Sequence, residues 1–157
     1  MFQVLVVCTG NTCRSPMAAG LLAQELGPDA ERVRVESAGT AASEGQPATE
    51  ATVLVAGRAG VDLHAHRSRR VTPAMVRAAD LILVMEGAQG AALQMLGADP
   101  DRTHVLSDWP QPGEPSLAVS DPYGASIEAY EECWRRIERH VQRVVPRIRE
   151  ASRTRSA

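Results

Sequence analysis

The pattern of apolar and polar positions divides the chain into strands that alternate with helices. Residues 2–7 form a continuous apolar run, which predicts a buried strand. A helical pattern opens at Pro16 and closes at Leu26, just before Gly27 and Pro28. The same criteria predict further strands at residues 32–36, 81–85 and 103–106, and further helices at residues 47–58, 73–79 and 87–96.

The longest helical pattern lies near the end of the chain. Its apolar residues recur at spacings of 3 and 4, which predicts one apolar face that covers the sheet. This interpretation is favoured over a coiled-coil seam. Pro146 is expected to kink or loosen the last turns, and residues 151–157 are expected to fray. The apolar positions are Ile127, Tyr130, Trp134, Ile137, Val141, Val144 and Ile148.

This alternation of elements indicates the α/β class. Successive β–α–β units build a parallel sheet, so we expect about four parallel strands with helices on both faces, in a three-layer α/β/α arrangement. No repeat or linker is visible in the sequence, and residues 1–150 are expected to form a single domain ahead of the tail. Loops are predicted at residues 37–46 and 108–121, and an irregular segment with a short extended piece at residues 61–70.

Composition narrows the class of protein. The chain has 44% apolar and 23% charged residues, which is the balance of a soluble globular protein. No apolar stretch is long enough to span a bilayer and no signal pattern opens the chain, so we expect a cytoplasmic protein without a membrane partner. A net charge of −2 argues against nucleic acid as a partner, although all 17 basic residues are arginine.

The cysteines point to one loop. Three cysteines cannot all pair, so free thiols in a reducing compartment are expected. Cys8 and Cys13 fall in the turn after the first strand, residues 8–15, which we call the 8–15 loop. In an open parallel sheet, ligands bind at the carboxyl ends of the strands. Five residues between Cys8 and Arg14 are enough for a cup of inward N–H groups beside the positive end of a helix, where an oxyanion fits.

The residue types in this loop suit phosphoryl transfer. The backbone amides of the loop, the dipole of the following helix and the charge of Arg14 favour the thiolate form of Cys8, and a thiolate is a nucleophile. The planar fork of Arg14 matches two phosphoryl oxygens. Ser15 can donate to the sulfur, and Asn11, the single asparagine of the chain, can brace a left-handed loop residue. The loop residues expected to bind the phosphoryl group are Thr9, Gly10, Asn11, Thr12, Cys13, Arg14 and Ser15.

Each of these features alone has a simpler explanation. A lone cysteine at a strand end is usually a buried apolar residue, and a Gly-Asn pair is usually a turn. A metal site is disfavoured because the C-x4-C spacing lacks nearby ligand partners. In combination, between a strand and a helix, the residues predict an active site that handles phosphate.

The sequence resembles the low-molecular-weight protein tyrosine phosphatase family. The family's C-x5-R-S signature matches residues 8–15, and Pro16 follows as in the family. Further matching segments are Ser37-Ala38-Gly39, His66-Arg67 and Asp121-Pro122-Tyr123. The resemblance covers nearly the whole chain. It implies a flavodoxin-like fold and hydrolysis of phosphoproteins through a phosphocysteine intermediate, without a metal or another cofactor.

The resemblance also implies roles for residues outside the loop. Asp121 matches the family's general acid, which later acts as the base for water. Asn11, Ser15, Ser37 and His66 match a hydrogen-bond network behind the loop.

Other cysteines and histidines receive simpler predictions. Cys13 is near enough to Cys8 to form a protective disulfide under oxidation, while Cys133 is expected in the core. His64, His104 and His140 are expected to be solvated.

Three departures from the family pattern bear on the substrate. Thr12 stands where phosphotyrosine enzymes usually carry an aliphatic residue, Ser43 falls near the place of one aromatic wall, and Gly124 follows Tyr123 where a second aromatic is common. Thr12 and Asp121 could serve a polar guanidinium, which is similar to the protein-arginine phosphatase branch. We therefore favour phosphoarginine in proteins over phosphotyrosine, with Tyr123 as one wall for either substrate.

Two other functions, arsenate reduction and phosphopeptide binding without catalysis, fit the sequence less well. Arsenate reduction uses the same loop but needs further cysteines, and none lies between Cys13 and Cys133. A phosphopeptide-binding module with an inactive loop is disfavoured because Cys8, Arg14 and Asp121 are all present. The expected partners are phosphorylated proteins, and the protein is expected to be a monomer or a weak dimer.

Overall fold

A computed structural model describes residues 1–107 and 118–156. Within these residues the strands are β1 (Phe2–Cys8), β2 (Val33–Gly39), β3 (Leu81–Val84) and β4 (Thr103–Val105). The helices are α1 (Arg14–Glu25), α2 (Glu50–Arg58), α3 (Pro73–Ala78), α4 (Gly87–Gln94) and α5 (Ile127–Ser156). Short 3₁₀ turns occupy Gly27–Asp29 and Pro100–Arg102.

The four strands form one parallel sheet in the order β2-β1-β3-β4. β1 lies in the interior of the sheet and pairs with β2 from Phe2 to Cys8 and with β3 from Val4 to Val7. The carboxyl ends of all four strands meet at one edge because every pairing is parallel. The predicted α/β class and four-stranded parallel sheet are confirmed.

Side chains alternate between the two faces of β1, which divides the core in two. Val4 and Val6 pack with residues of α1, α2 and α5, whereas Leu5 and Val7 pack with residues of α3 and α4. The sheet is therefore the middle layer of three, as predicted. The apolar stripe of α5 covers the first face: all its predicted members except the half-buried Ile127 are buried.

Apart from the end of α5, two element boundaries differ from the sequence prediction by three residues. α2 begins at Glu50 and not at Pro47, because Thr49 caps the helix by accepting from the backbone N–H of Thr52 at 3.3 Å. β2 continues to Gly39 and does not end at residue 36, since its last residues pair with the end of β1. Both differences occur next to the 8–15 loop.

The predicted frayed tail is wrong. α5 continues through Pro146 to Ser156, because its last turns pack against the rest of the protein. Ser152 is 1% exposed, and Arg155 contacts the carboxylate of Asp80. Arg149 donates to Asp29 at 2.8 Å, and this hydrogen bond lowers the pKa of the Asp29 carboxyl.

No helix in the described residues is both long and apolar enough to cross a membrane. Of the loop predicted at residues 108–121, the first ten residues lie outside the described part. The remainder is irregular, and the N–H of Val119 donates to the carbonyl of Met85 at 3.1 Å. This contact joins the loop to the end of β3.

Candidate active site

The 8–15 loop closes around a cavity at the carboxyl edge of the sheet. Cys8 is the last residue of β1 and Arg14 is the first residue of α1, so the helix N-terminus faces the cavity. The cavity has a volume of about 200 Å³. It is lined by loop residues 8–14 together with Asp121 and Tyr123. Its size and polarity suit a phosphoryl group.

Cys8 is buried among hydrogen-bond donors. The N–H of Asn11 donates to its Sγ at 3.2 Å, and Ser15 Oγ lies 3.0 Å from the same sulfur. Ser15 Oγ already accepts from the side chain of Asn11, which leaves its own proton free to point at the sulfur. These donors and the helix dipole can stabilise a negative sulfur.

Asn11 holds the loop in shape. Its φ of 58° is left-handed, a conformation that asparagine tolerates because its short side chain can form local hydrogen bonds. Its amide donates to Ser15 Oγ at 2.8 Å and to Ser37 Oγ at 3.0 Å. Its Oδ1 accepts from the backbone N–H of Arg69 at 3.0 Å. The predicted network of Asn11, Ser15 and Ser37 is thus assembled in the structure.

His66 completes this network from the other side. Its Nε2 lies 2.7 Å from the carbonyl oxygen of Asn11, and a carbonyl can only accept, so Nε2 carries the proton. Burial, with the nearby charges of Arg67 and Arg69, lowers the pKa of His66. The lowered pKa favours the neutral ring, and Nε2 donates to the loop backbone.

The other histidines only partly follow the prediction. His64 is exposed and contacts Asp62 at 2.7 Å, as expected of a surface histidine. His104 on β4 and His140 on α5 are half-buried and not solvated, because both elements pack into the fold. Burial lowers the pKa of His104.

Arg14 is 2% exposed and is held on several sides. Its Nη1 donates to the carboxylate of Glu86 and to the carbonyl of Val119, the latter at 3.0 Å. Its Nη2 lies 3.6 Å from Asp121 Oδ2. The guanidinium is therefore fixed at the cavity before any ligand binds.

The turn after β3 supports both ends of the 8–15 loop, a role that is not among the predictions from the sequence. Gln89 donates to Thr9 Oγ1 at 3.1 Å and accepts from the N–H groups of Met85 and Glu86 at 2.8 and 3.0 Å. Glu86 in turn holds Arg14. We call Met85, Glu86 and Gln89 the β3–α4 clamp. Its sequence signal is the Glu-x-x-Gln spacing of a capping box at the start of α4.

Asp121 and Tyr123 lie at the rim of the cavity. Asp121 is 47% exposed, and its Oδ1 accepts from the N–H of Tyr123 at 3.0 Å. Its other oxygen faces Arg14. A carboxyl group at this place can reach the leaving group of a phosphoryl compound whose phosphorus sits above Cys8.

The end of β2 supports the back of the loop. The N–H groups of Thr40 and Ala41 donate to the carbonyls of Cys8 and Thr9, both at 3.0 Å. A Cβ at Gly39 would lie 2.5 Å from the carbonyl oxygen of Thr9, so only glycine permits this close approach.

The remaining thiols are buried away from solvent. Cys13 Sγ lies 3.6 Å from both Thr49 Oγ1 and Tyr130 OH, between α2 and α5. Burial raises the pKa of Tyr130 to about 12. Burial also raises the pKa of the Cys133 thiol to about 12, and this residue lies in the core as predicted. All three cysteines are free thiols, and the disulfide between Cys8 and Cys13 stays a prediction.

The fold and this loop are those of a known class of phosphatases. A family model described as low molecular weight phosphotyrosine protein phosphatase matches residues 3–154. The chain belongs to this family and is a phosphatase.

Individual relatives cover nearly the same length. The chain is 42% identical over 147 residues to a probable low molecular weight protein-tyrosine-phosphatase, EpsP, of Ralstonia nicotianae, covering 93% of the chain and 95% of that protein. It is 32% identical over 148 residues to a protein-arginine-phosphatase of Geobacillus stearothermophilus, covering 94% and 96%.

The solved structures agree with the fold. A variant of the YwlE arginine phosphatase, with a phosphorylated serine in place of its active-site cysteine, matches with a TM-score of 0.86 and 29% identity. The match covers 94% of this chain and 96% of that one. A low molecular weight protein tyrosine phosphatase from T. tengcongensis matches with a TM-score of 0.85 and 29% identity, covering 94% and 99%.

Proposed function

We propose that the protein hydrolyses phosphorylated side chains of proteins through a covalent phosphocysteine on Cys8. The observation that carries the proposal is the arrangement around one small cavity: a buried sulfur at the base, a fixed guanidinium at the side and a carboxyl group at the rim. These are the groups that nucleophilic displacement at phosphorus requires.

In the first step the Cys8 thiolate attacks phosphorus in line with the leaving group. The sulfur–phosphorus bond forms while the bond to the leaving oxygen or nitrogen breaks, and Asp121 gives its proton to that atom. The loop amides and Arg14 bind the three equatorial oxygens as negative charge spreads over them.

In the second step water replaces the sulfur. Asp121, now ionised, takes a proton from the water as its oxygen attacks phosphorus, and the sulfur–phosphorus bond breaks. Inorganic phosphate leaves and the thiolate of Cys8 is restored. The serine-phosphorylated YwlE variant supports this covalent route, since it carries a phosphoryl group on the side chain at its active-site position.

We propose phosphoarginine as the preferred substrate. Thr12 lines the cavity together with Asp121, and these side chains provide a hydroxyl group and a carboxylate for a guanidinium. Among the described residues that line this cavity, Tyr123 is the aromatic one, and it can form one wall for the substrate side chain. The protein-arginine-phosphatase relative supports the same choice.

Phosphotyrosine is the second candidate. The relative at 42% identity is named as a probable tyrosine phosphatase, and Tyr123 could stack on a phenyl ring. The mechanism would be the same, with a phenol as the leaving group.

The substrate assignment is tested by comparing rates on one peptide that carries either phosphoarginine or phosphotyrosine. Thr12→Ile should lower kcat/KM for the phosphoarginine peptide about tenfold, because a guanidinium N–H loses its partner, and should spare the phosphotyrosine peptide. Cys8→Ser should abolish turnover of both peptides while phosphate still binds. An unchanged ratio of the two rates in Thr12→Ile would contradict the phosphoarginine assignment.

A further inference from the structure

Two further cavities continue from the candidate active site along the start of α2. The middle one, of about 430 Å³, shares Gly10, Thr12 and Tyr123 with the active-site cavity. The outer one, of about 710 Å³, shares Pro47, Ala48 and Glu50 with the middle one. The three cavities are therefore neighbours, and they lie in a row that leads from the 8–15 loop over the first turns of α2, which we call the path.

The outer cavity is apolar, and we call it the α2 groove. Its walls are formed by Pro47, Ala48, Val53, Leu54 and Leu63. Leu54 is 48% exposed and stands beside the other apolar residues of this cavity, so it belongs to an apolar patch and is not an isolated surface leucine.

Two side chains at the edge of the α2 groove contact neighbouring acidic residues. Arg58 donates to Glu131 at 2.9 Å, and His64 lies 2.7 Å from Asp62. Glu50 also lines the groove and is exposed, so a bound chain meets a carboxylate as well as the apolar walls.

The length of the path sets how many residues of a bound chain separate the active site from the α2 groove. The N–H of Thr49 donates to the carbonyl of Thr12 at 3.1 Å, so α2 starts directly against the loop. Two backbones joined by such a hydrogen bond lie about 5 Å apart. Along the helix, Leu54 lies about 7 Å beyond Thr49. An extended chain rises about 3.3 Å per residue, so about four residues cover the distance.

We propose that this path is a docking surface for the segment of the substrate protein that flanks the phosphorylated residue. A large aliphatic side chain, three to five residues from the phosphorylated one, packs against Leu54 in the α2 groove. The proposal rests on the proposed phosphatase function, since it names the sequence around the substrate residue of the same site. Its place beside the active-site cavity argues for this occupant over a second copy of the chain, because a stable dimer buries about 800 Å² on each partner and the residues that line this groove expose much less surface.

The experiment uses the full chain and paired phosphopeptides that differ only by leucine or serine at the fourth position on either side of the phosphorylated residue. Each pair is made with phosphoarginine and with phosphotyrosine. Wild type should prefer a leucine peptide on one side, and Leu54→Ser should reduce this preference about fivefold in kcat/KM through KM. Hydrolysis of p-nitrophenyl phosphate, which does not reach the groove, should be unchanged.

The control variant is Met95→Ser, which removes an 87% exposed apolar side chain just after α4. It should leave all rates unchanged. Equal kcat/KM for the leucine and serine peptides in wild type, or an equal loss on both in Leu54→Ser, would overturn the docking proposal.

Binding separates this proposal from the proposed function. Fluorescence polarisation with Cys8→Ser, with and without Leu54→Ser, measures the same leucine preference without turnover. Absence of Cys8-dependent hydrolysis of p-nitrophenyl phosphate would refute the mechanism, whereas absence of a leucine preference in Kd would refute the docking surface.

Discussion

Among single residues, Asn11 makes the largest number of contacts described for the 8–15 loop, through both its backbone and its side chain. It adopts the left-handed conformation that turns the loop inward, and its amide group satisfies three hydrogen bonds to Ser15, Ser37 and Arg69. Its backbone N–H meets the sulfur of Cys8, and its carbonyl accepts from His66. Glycine would adopt the same φ, but it would leave the buried partners of the amide unsatisfied.

Asp121 is the residue whose role is most directly testable. Asp121→Asn keeps the shape of the side chain but removes the proton that the leaving group needs. We expect kcat/KM, which reports the first step and not the hydrolysis of the phosphocysteine, to fall by about 10²–10⁴-fold on phenyl phosphate, a poor leaving group, and much less on p-nitrophenyl phosphate. The measurement is the ratio of the two rates.

The control for this variant is Asp101→Asn, which changes an exposed carboxyl group in the 3₁₀ turn before β4. Its rates should equal those of wild type. An equal loss on both phenyl esters in Asp121→Asn would mean that another group supplies the proton.

At the element scale, the β3–α4 clamp ties three segments of the site together. Gln89 holds Thr9 at the start of the 8–15 loop, Glu86 holds Arg14 at its end, and Met85 holds Val119 next to Asp121. One short turn therefore sets the relative positions of the groups proposed to bind phosphate and of the segment that carries the proposed acid.

Glu86→Gln tests whether this turn orients Arg14. The amide fills the same space but loses the charge, so we expect the Ki of inorganic phosphate to rise about tenfold, or ~1.4 kcal/mol, with little change in Tm. The measurement is competitive inhibition of p-nitrophenyl phosphate hydrolysis.

The matched control is Glu131→Gln, which breaks a surface pair with Arg58 and should leave Ki unchanged. A fall in Tm with an unchanged Ki would assign Glu86 to stability alone.

The sequence predicted the order of the elements because apolar periodicity is local. It misplaced the start of α2 because Pro47 can open a helix, whereas the capping hydroxyl belongs to Thr49. It ended β2 too early because Ser37, Ala38 and Gly39 are not typical strand residues. They extend the strand only because β1 pairs with them, which no local pattern reveals.

In the candidate site, too, contacts within one segment of sequence could be predicted and contacts between distant segments could not. The 8–15 loop is contiguous in sequence, so spacing alone indicated Cys8 and Arg14. Glu86 lies 72 positions from Arg14, and Gln89 lies 80 positions from Thr9, so their contacts depend on the pairing of β1 with β3. The clamp could not be predicted from spacing along the chain.

At the scale of the whole molecule, α5 joins the two ends of the sheet. Its 30 residues span about 45 Å. Near its start, Tyr130 contacts Cys13 of the 8–15 loop. Near its end, Arg155 contacts Asp80, which accepts from the N–H of Gln3 at the beginning of β1.

Removal of residues 151–157 tests whether the last turns of α5 stabilise the fold. We expect Tm to fall by about 3–6 °C, because the packing of the buried Ser152 and the contact of Arg155 are lost, while kcat on p-nitrophenyl phosphate is retained. Thermal unfolding of both chains gives the comparison.

Arg153→Ala is the control, since this exposed side chain lies on the same turn. It should leave Tm unchanged. A Tm of the shortened chain equal to that of wild type would restore the original expectation of a frayed tail.

The burial of all three thiols has a practical consequence for labelling. Cys8, Cys13 and Cys133 are 2%, 3% and 5% exposed, and Cys8 opens only into the small active-site cavity. A cysteine introduced at Met95 would therefore react with a bulky maleimide dye well before the native thiols. The enzyme could carry a single fluorophore on its surface and keep its nucleophile unmodified.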